Sequence, residues 1–208
     1  LILLNKNYPM KNVRCEKLNF MRDFEGDKDK QDQIYAIVRD SLINQGLIFF
    51  GGYASSLYGK YMPKDQRKQT KDIPDFDVLS NDAEGSAVIV KERLHKQGVK
   101  NIKIKKHDAI GENIPTHYEI VIGEDTVCFI YQSIACHSFN TIKINNKNVN
   151  VATIDTMLSF YLAFLYTNQP YYDHERILCM SQYLFSVQAR NRLEQKGLLK
   201  RFSIQCYG

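Results

Sequence analysis

The chain has 208 residues, of which 44% are hydrophobic, and this is enough for one packed domain with a helical appendage. Its formal net charge of +5 permits a polyanionic partner but does not require one. No run of about 18 apolar residues occurs, which excludes a membrane-spanning helix, and the apolar start Leu1–Leu4 is too short for a signal peptide.

The cysteines lie far apart and form no Cys-x-x-Cys pair: Cys15, Cys128, Cys136, Cys179 and Cys206. An odd and scattered set is typical of reduced thiols, so we predict free cysteines and a cytoplasmic location. The first residue is leucine rather than methionine, and a longer parent protein is an open alternative.

The hydrophobic spacing predicts helices and strands in alternation after an irregular lead-in over residues 1–30. Helices are predicted at about 31–45, 53–61, 84–97, 154–167 and 172–196, and single strands at 75–79 and 101–106. Residues 47–50 are either a short buried strand or an apolar approach to the glycines. Two hairpins are predicted, one from 118–122 and 126–131 and the other from 140–144 and 149–152. The expected fold is α/β or α+β, with a mixed sheet and flanking helices in a core over 31–152 and a helical C-terminal part over 153–208.

A Gly-Gly turn, Gly51-Gly52, leads into the second predicted helix. Backbone N–H groups at a glycine turn and at a helix start are free to bind a phosphate. Ser55 and Ser56 follow, and their hydroxyls either bind the same phosphate or serve only the start of the helix. The turn is therefore a candidate phosphate site.

Two aspartates, Asp75 and Asp77, alternate with apolar residues on the strand after the loop. Side chains at positions i and i+2 of a strand point to the same face, and two such carboxylates repel each other unless a cation lies between them. Mg²⁺ prefers oxygen ligands and leaves room for phosphate oxygens. The pair therefore predicts a site for Mg²⁺ or Mn²⁺ in phosphoryl-transfer chemistry.

The glycine turn, the helix and the Asp-x-Asp strand together resemble the DNA polymerase β-type nucleotidyltransferases. In that superfamily the glycine turn and the hydroxyls after it hold the triphosphate, and the aspartate pair binds the metals. The segments 50–54, 73–80 and 201–208 are similar to the poly(A) polymerases of large cytoplasmic DNA viruses, especially the mimivirus-like group.

This resemblance implies template-independent addition of AMP from ATP to an RNA 3′ end by a two-metal mechanism, as in polyadenylation of viral mRNA. It implies ATP, RNA and either a second copy or a processivity partner as partners, and host cytoplasm or a virion as the location. The loop before the Asp-x-Asp strand is either a contact for the RNA backbone or a solvated loop, and its basic residues include Lys64, Arg67, Lys68 and Lys71. Lys103 and Lys105, on one face of a later strand, are either a second contact for the RNA backbone or lysines of a solvated edge strand.

The superfamily has a third carboxylate on a later strand, where this chain has Cys128, and a thiol is a poor ligand for Mg²⁺. A two-residue loop at 124–125 pairs Glu119 with Ile130 and points Glu119 to the same face as Cys128. Glu119 then either supplies the catalytic carboxylate or faces solvent. Two further alternatives stay open: a weak or inactive copy that binds RNA or dimerises, and a nucleotidyltransferase with an acceptor other than RNA.

Overall fold

The structure is a computed structural model that describes residues 15, 28–64, 75–167, 169–170, 172–201 and 205–207. Helices in these residues are α1 (Lys28–Asn44), α2 (Gly51–Tyr58), α3 (Ala83–Lys96), α4 (Ile154–Thr167) and α5 (His174–Arg190). Strands are β1 (Ile48–Phe50), β2 (Phe76–Ser80), β3 (Ile102–His107), β4 (His117–Ile122), β5 (Asp125–Gln132), β6 (His137–Ile144), β7 (Lys147–Ala152) and β8 (Cys206–Tyr207).

The strands form one mixed sheet in the order β3-β4-β5-β2-β1-β7-β6-β8. At its centre β2 pairs antiparallel with β1 and parallel with β5, and β1 pairs parallel with β7. A parallel pair needs a crossover connection, and α3 lies in the connection from β2 to β5. The predicted fold class, a mixed sheet with flanking helices, is confirmed.

Different helices cover the two faces of the sheet. Helix α3 packs against β2, β3, β4 and β5, and the Tyr118 hydroxyl of β4 donates to Glu84 of α3 over 3.1 Å. On the opposite face, the Tyr131 ring of β5 contacts Phe160 and Phe164 of α4. Because side chains alternate along a strand, Glu119 points away from α3 and toward the face that carries α4.

The short strand β1 is apolar because it is covered on both faces. Phe49 and Phe50 are both fully buried. Phe49 packs edge-on against Phe76 on one side, and Phe50 stacks on Phe160 with 4.7 Å between ring centroids on the other. This packing fixes the end of β1, which is where the Gly-Gly turn begins.

Both predicted hairpins are present, and one has a different register from the prediction. In the β6–β7 hairpin the two turn residues, Asn145 and Asn146, have φ of 48° and 61°, which is the backbone of a type I′ turn. In the β4–β5 hairpin the turn is Gly123-Glu124, and a register shift lies between Ile120 and Val121. The Gly123-Glu124 turn alone would pair Glu119 with Cys128, and the shift moves its pairing to Phe129 instead of the predicted Ile130.

The C-terminal part differs from the predicted long helix. Helix α5 ends at Arg190, where the Asn191 side chain donates to the Val187 carbonyl over 2.8 Å. An asparagine side chain that binds backbone groups competes with further helical turns. The chain then returns to the sheet, where β8 pairs with β6. The division at residues 152 and 153 falls between β7 and α4 and stays a prediction.

The prediction of reduced cysteines is wrong for four of the five residues. Cys15 is bonded to Cys179 and Cys136 to Cys206, with Cα–Cα distances of 5.3 and 5.1 Å. These pairs are 164 and 70 residues apart in the sequence, so only the tertiary fold brings them together. Cys128 is a free, buried thiol. The cytoplasmic location stays a prediction.

Within the described residues, no helix has the length and apolar character needed to cross a membrane.

Candidate active site

A cleft of about 520 Å³ opens on the face of the sheet that carries α4 and α5. The Gly-Gly turn, the Asp-x-Asp strand and the side chains of β4 and β5 on this face form its floor. Tyr161 and Phe164 of α4 and Arg176 of α5 are part of its wall. The fold therefore brings the two motifs from the sequence into one concave site.

Asp75 directly precedes β2 and is 6% exposed, whereas Asp77 lies within β2 and is half-buried. Both carboxylates line the cleft. No ion pair or hydrogen bond to the Asp75 carboxylate comes from the residues that the structure describes. A buried carboxylate without a counter-charge beside a second carboxylate fits a hard cation with oxygen ligands. Among the described residues no group of three His, Cys, Asp or Glu side chains gathers around one point, so phosphate or water oxygens would complete the coordination.

The Gly51 backbone lies against the Asp77 side chain. Gly51 has a φ of +67°, and a Cβ atom added there would collide with the Asp77 carboxylate. The N-cap residue of α2, Phe50, makes no side-chain hydrogen bond to the helix, and the first N–H groups of a helix have no partner within the helix itself. A phosphate held by these N–H groups would lie beside the aspartate carboxylates.

The two serines after the turn use their hydroxyls within α2. Ser55 Oγ donates to the Gly51 carbonyl over 2.8 Å and lies 3.3 Å from the Tyr161 hydroxyl. Ser56 Oγ donates to the Tyr53 carbonyl over 2.6 Å. Neither serine lines the cleft. The hydrogen bond from Ser55 to the Gly51 carbonyl stabilises the glycine turn from outside the cleft. Their predicted contact with the nucleotide stays a prediction.

One row of paired residues crosses the cleft face from β2 through β5 and β4 to β3: Asp77, Phe129, Glu119 and Lys105. Strands are about 4.8 Å apart, which places Glu119 about 10 Å from Asp77. Cys128 pairs with Phe76 and Ile120 and points to the opposite face. The prediction that Cys128 and Glu119 share a face is therefore wrong, because the shift in the hairpin reverses it. Phe129 is the cleft-facing residue opposite Asp77.

Glu119 is held by three neighbours. Thr126 Oγ1 donates to it over 2.5 Å, His107 Nε2 donates over 2.9 Å, and Lys105 Nζ lies 3.6 Å away. Burial alone would raise the pKa of Glu119, but the hydrogen bonds from Thr126 and His107 and the Lys105 charge together lower it. The carboxylate is therefore ionised at neutral pH. Its catalytic role stays a prediction.

We expect the Glu119→Gln variant to lose part of the pH dependence of stability. A carboxyl group whose pKa is lower in the folded state stabilises the fold above its unfolded pKa of about 4.3, and this contribution is lost as the pH falls through the folded pKa. The wild type should therefore lose more unfolding free energy than Glu119→Gln between pH 6 and about pH 3. Urea denaturation at several pH values measures this. Glu124→Gln, an exposed residue of the same hairpin, is the control, and a Glu119→Gln profile identical to the wild type contradicts the expectation.

Sequence reasoning missed two histidines and an arginine in the cleft. The His117 ring stacks between His107 and Tyr131, with centroid distances of 4.8 and 4.5 Å. Burial lowers the pKa of His117, and its neutral ring donates from Nδ1 to the Pro115 carbonyl. Arg176 Nε is buried without a hydrogen-bond partner among the described residues. The sequence offers one local signal, since His107 directly follows the predicted strand 101–106 and His117 directly precedes the predicted strand 118–122.

The basic loop is only partly described. Lys64 is exposed, and Arg67, Lys68 and Lys71 lie outside the described residues. Contact of this loop with RNA stays a prediction.

The fold is similar to that of the Megavirus polyadenylate synthase, with a TM-score of 0.70 and 17% identity over 100% of this chain and 43% of that chain. Two other similar structures are the antibiotic-resistance factor ANT(2'')-Ia, with a TM-score of 0.44, 13% identity and coverage of 79% and 92%, and an antigenic nucleotidyltransferase-like protein from Paracoccidioides brasiliensis, with a TM-score of 0.38, 17% identity and coverage of 85% and 94%. No protein-family model matches the chain, and no curated protein matches it. This chain shares the fold of the Megavirus polyadenylate synthase, as the sequence resemblance to viral poly(A) polymerases predicts, and it spans less than half the length of the Megavirus protein.

Proposed function

We propose that this chain is a metal-dependent nucleotidyltransferase that adds AMP from ATP to the 3′ end of an RNA. The observation that carries the proposal is the direct contact between the Gly51 turn and the Asp77 carboxylate on the floor of one cleft. Phosphate binding and metal binding must be adjacent for phosphoryl transfer, because the metal ions bridge and neutralise the phosphate oxygens. The Megavirus polyadenylate synthase, which has the same fold, supports the choice of ATP and RNA.

Each part of the cleft has a proposed task. Asp75 and Asp77 would hold Mg²⁺ or Mn²⁺, which when bound neutralises phosphate charge and makes the attacking hydroxyl more acidic. The N–H groups at Gly51 and Gly52 hold the phosphates, and Ser55 fixes the turn by its bond to the Gly51 carbonyl. Glu119 is ionised and is the candidate acceptor for the hydroxyl proton, although a carboxylate with a low pKa is a weak base.

The walls of the cleft suit the rest of a nucleotide. Phe129, Tyr131 and Phe164 present aromatic rings to the cleft, and a nucleobase stacks on such rings whatever its sequence context. Arg176 brings a cation with a buried Nε that lacks a hydrogen-bond partner in the described part of the chain. Guanidinium groups bind phosphate oxygens in this way.

A second copy or a processivity partner, and a cytoplasmic setting, belong to the same proposal.

We expect the wild-type chain to extend a short 5′-labelled RNA with ATP and Mg²⁺ or Mn²⁺. The products should form a ladder on a denaturing gel, and one pyrophosphate should be released for each AMP that is added. An RNA with a 3′-deoxy end and a reaction with excess chelator are the matched controls, and both should give no ladder. GTP, CTP and UTP in place of ATP measure the base preference.

One observation favours a second candidate function, an inactive copy that binds RNA. Phe129 stands opposite Asp77 on β5, so the neighbouring strand carries no carboxylate at the paired position. Folded protein that binds RNA and releases no pyrophosphate would support this candidate and contradict the proposed enzyme. Adenylyl transfer to a protein or a small molecule, with RNA left unchanged, would instead indicate a different acceptor.

A further inference from the structure

We propose that the edge of the sheet formed by β3 binds the phosphate backbone of the acceptor RNA through Lys103 and Lys105. This inference rests on the proposed function for the identity of its ligand, an RNA strand. It adds to that function the side from which the acceptor enters.

The order of the strands separates the two substrates. The Gly51 turn follows β1, which lies on one side of β2, whereas β5, β4 and β3 lie on the other side. Asp77 therefore lies between the candidate phosphate site and the edge of the sheet that β3 forms in the described residues. In phosphoryl transfer the attacking and leaving oxygens are roughly in line on opposite sides of the phosphorus. A pyrophosphate that leaves toward the Gly51 turn requires an acceptor that approaches from the side of β5, β4 and β3.

The register places both lysines on the cleft face. Lys103 pairs with Val121, and Lys105 pairs with Glu119, which lines the cleft. Residues 103 and 105 share one face of the strand because they are two positions apart. Three strand spacings of about 4.8 Å place Lys105 about 14 Å from Asp77. This distance suits contact with a phosphate that precedes the reacting 3′ end.

The charge on this edge is available to a polyanion. The Lys105 side chain is 52% exposed, although its Nζ lies 3.6 Å from Glu119. Lys103 is exposed as well. When lysines neutralise RNA phosphates, the cations condensed on the RNA are released. The protein therefore gains affinity for RNA without a preference for its sequence. That behaviour fits an enzyme that extends the end of an RNA without a template.

Lysines on an edge strand also prevent edge-to-edge association of sheets, and the structure offers a control for that alternative. Lys106 lies on the same strand but on the opposite face, where its partner Tyr118 reaches α3. Lys96 is exposed at the end of α3, the helix that packs on this opposite face of the sheet. If the lysines of β3 only protect the edge, substitutions of lysines on the two faces of the sheet should have the same effect on RNA affinity.

The test is the affinity for a fluorescent single-stranded RNA, measured by anisotropy without ATP and at several salt concentrations. Lys103→Gln/Lys105→Gln should bind about 10-fold more weakly at low salt, and its salt slope should fall by about 1.4, because two contacts with single-stranded RNA contribute about 0.7 each. Lys96→Gln/Lys106→Gln removes the same two charges and should bind like the wild type. Thermal unfolding verifies that both variants are folded.

The outcomes separate this inference from the proposed function. Equal loss of affinity in the two double variants, unchanged affinity in Lys103→Gln/Lys105→Gln, or no RNA binding by the wild type overturns the inference. A wild type that extends RNA together with an unchanged Lys103→Gln/Lys105→Gln variant overturns only the inference. Selective loss of binding in a chain that never releases pyrophosphate supports the basic edge and overturns the proposed enzyme.

Discussion

Asp77→Asn should lower the rate of nucleotidyl transfer by about a thousandfold and leave the protein folded. A metal ion supplies several kcal/mol of transition-state stabilisation, and each 1.36 kcal/mol corresponds to a factor of ten in rate. Asparagine keeps the shape of the side chain beside Gly51 but has no negative charge to hold the cation. The substitution therefore removes the metal site with little change in packing.

Two measurements detect this effect independently. The first is the rate of pyrophosphate release in the RNA extension reaction. The second is the rise in melting temperature on addition of Mn²⁺, since a ligand that binds only the folded state stabilises it by mass action. Asp108→Asn is the matched control, because Asp108 is 91% exposed and lies outside the cleft. It should keep both the rate and the response to Mn²⁺.

The two measurements also separate the alternatives for this chain. A rate for Asp77→Asn within tenfold of the wild type contradicts the assignment of the metal site. If the wild type has no transfer activity but shows a Mn²⁺ response that Asp77→Asn loses, the site binds metal and the chain is an inactive copy. If neither protein responds to Mn²⁺, the same titration with ATP present tests whether the aspartate pair holds a cation only beside a bound nucleotide, and no response there contradicts the metal site.

Sequence patterns predict the parts of the fold that are determined by residues close together in the chain. The Asn145-Asn146 turn can be predicted from the sequence because asparagine tolerates positive φ. The helix over 154–167 is readable because its apolar residues recur at helical spacing. The Gly-Gly and Asp-x-Asp motifs fall into the same class, since each is contiguous in the sequence. Their meeting in one cleft follows from the pairing of β1 with β2.

The parts that sequence patterns miss depend on distant residues. A shift of one residue in the β4–β5 hairpin turns Cys128 away from the cleft and aligns Glu119 with Phe129, because a one-residue slip exchanges the faces of a strand. The two disulfides join segments that only the tertiary fold brings together. Arg176 follows Asp77 by 99 residues in the sequence, so no local sequence pattern indicates that the two line the same cleft. Composition and periodicity cannot resolve such features.

Gly51→Ala should destabilise the protein more than Gly46→Ala and should disrupt the candidate site. The two glycines have nearly equal positive φ, +67° for Gly51 and +71° for Gly46. An alanine at either position incurs the same backbone strain, about 1–2 kcal/mol in the left-handed region. At Gly46 the added Cβ meets nothing within 4 Å, whereas at Gly51 it collides with the Asp77 carboxylate. The pair of variants therefore isolates the cost of that collision.

The excess cost of Gly51→Ala over Gly46→Ala should be about 1–3 kcal/mol in unfolding free energy, as for other overpacked positions. Chemical denaturation measures this difference. Because Asp77 must move to admit the methyl group, the variant should also lose the Mn²⁺ response and transfer activity, whereas Gly46→Ala should keep both. Equal destabilisation of the two variants would show that Asp77 does not pack against the turn in solution. Full activity in Gly51→Ala would separate the glycine turn from the aspartate pair and remove the contact on which the proposed function rests.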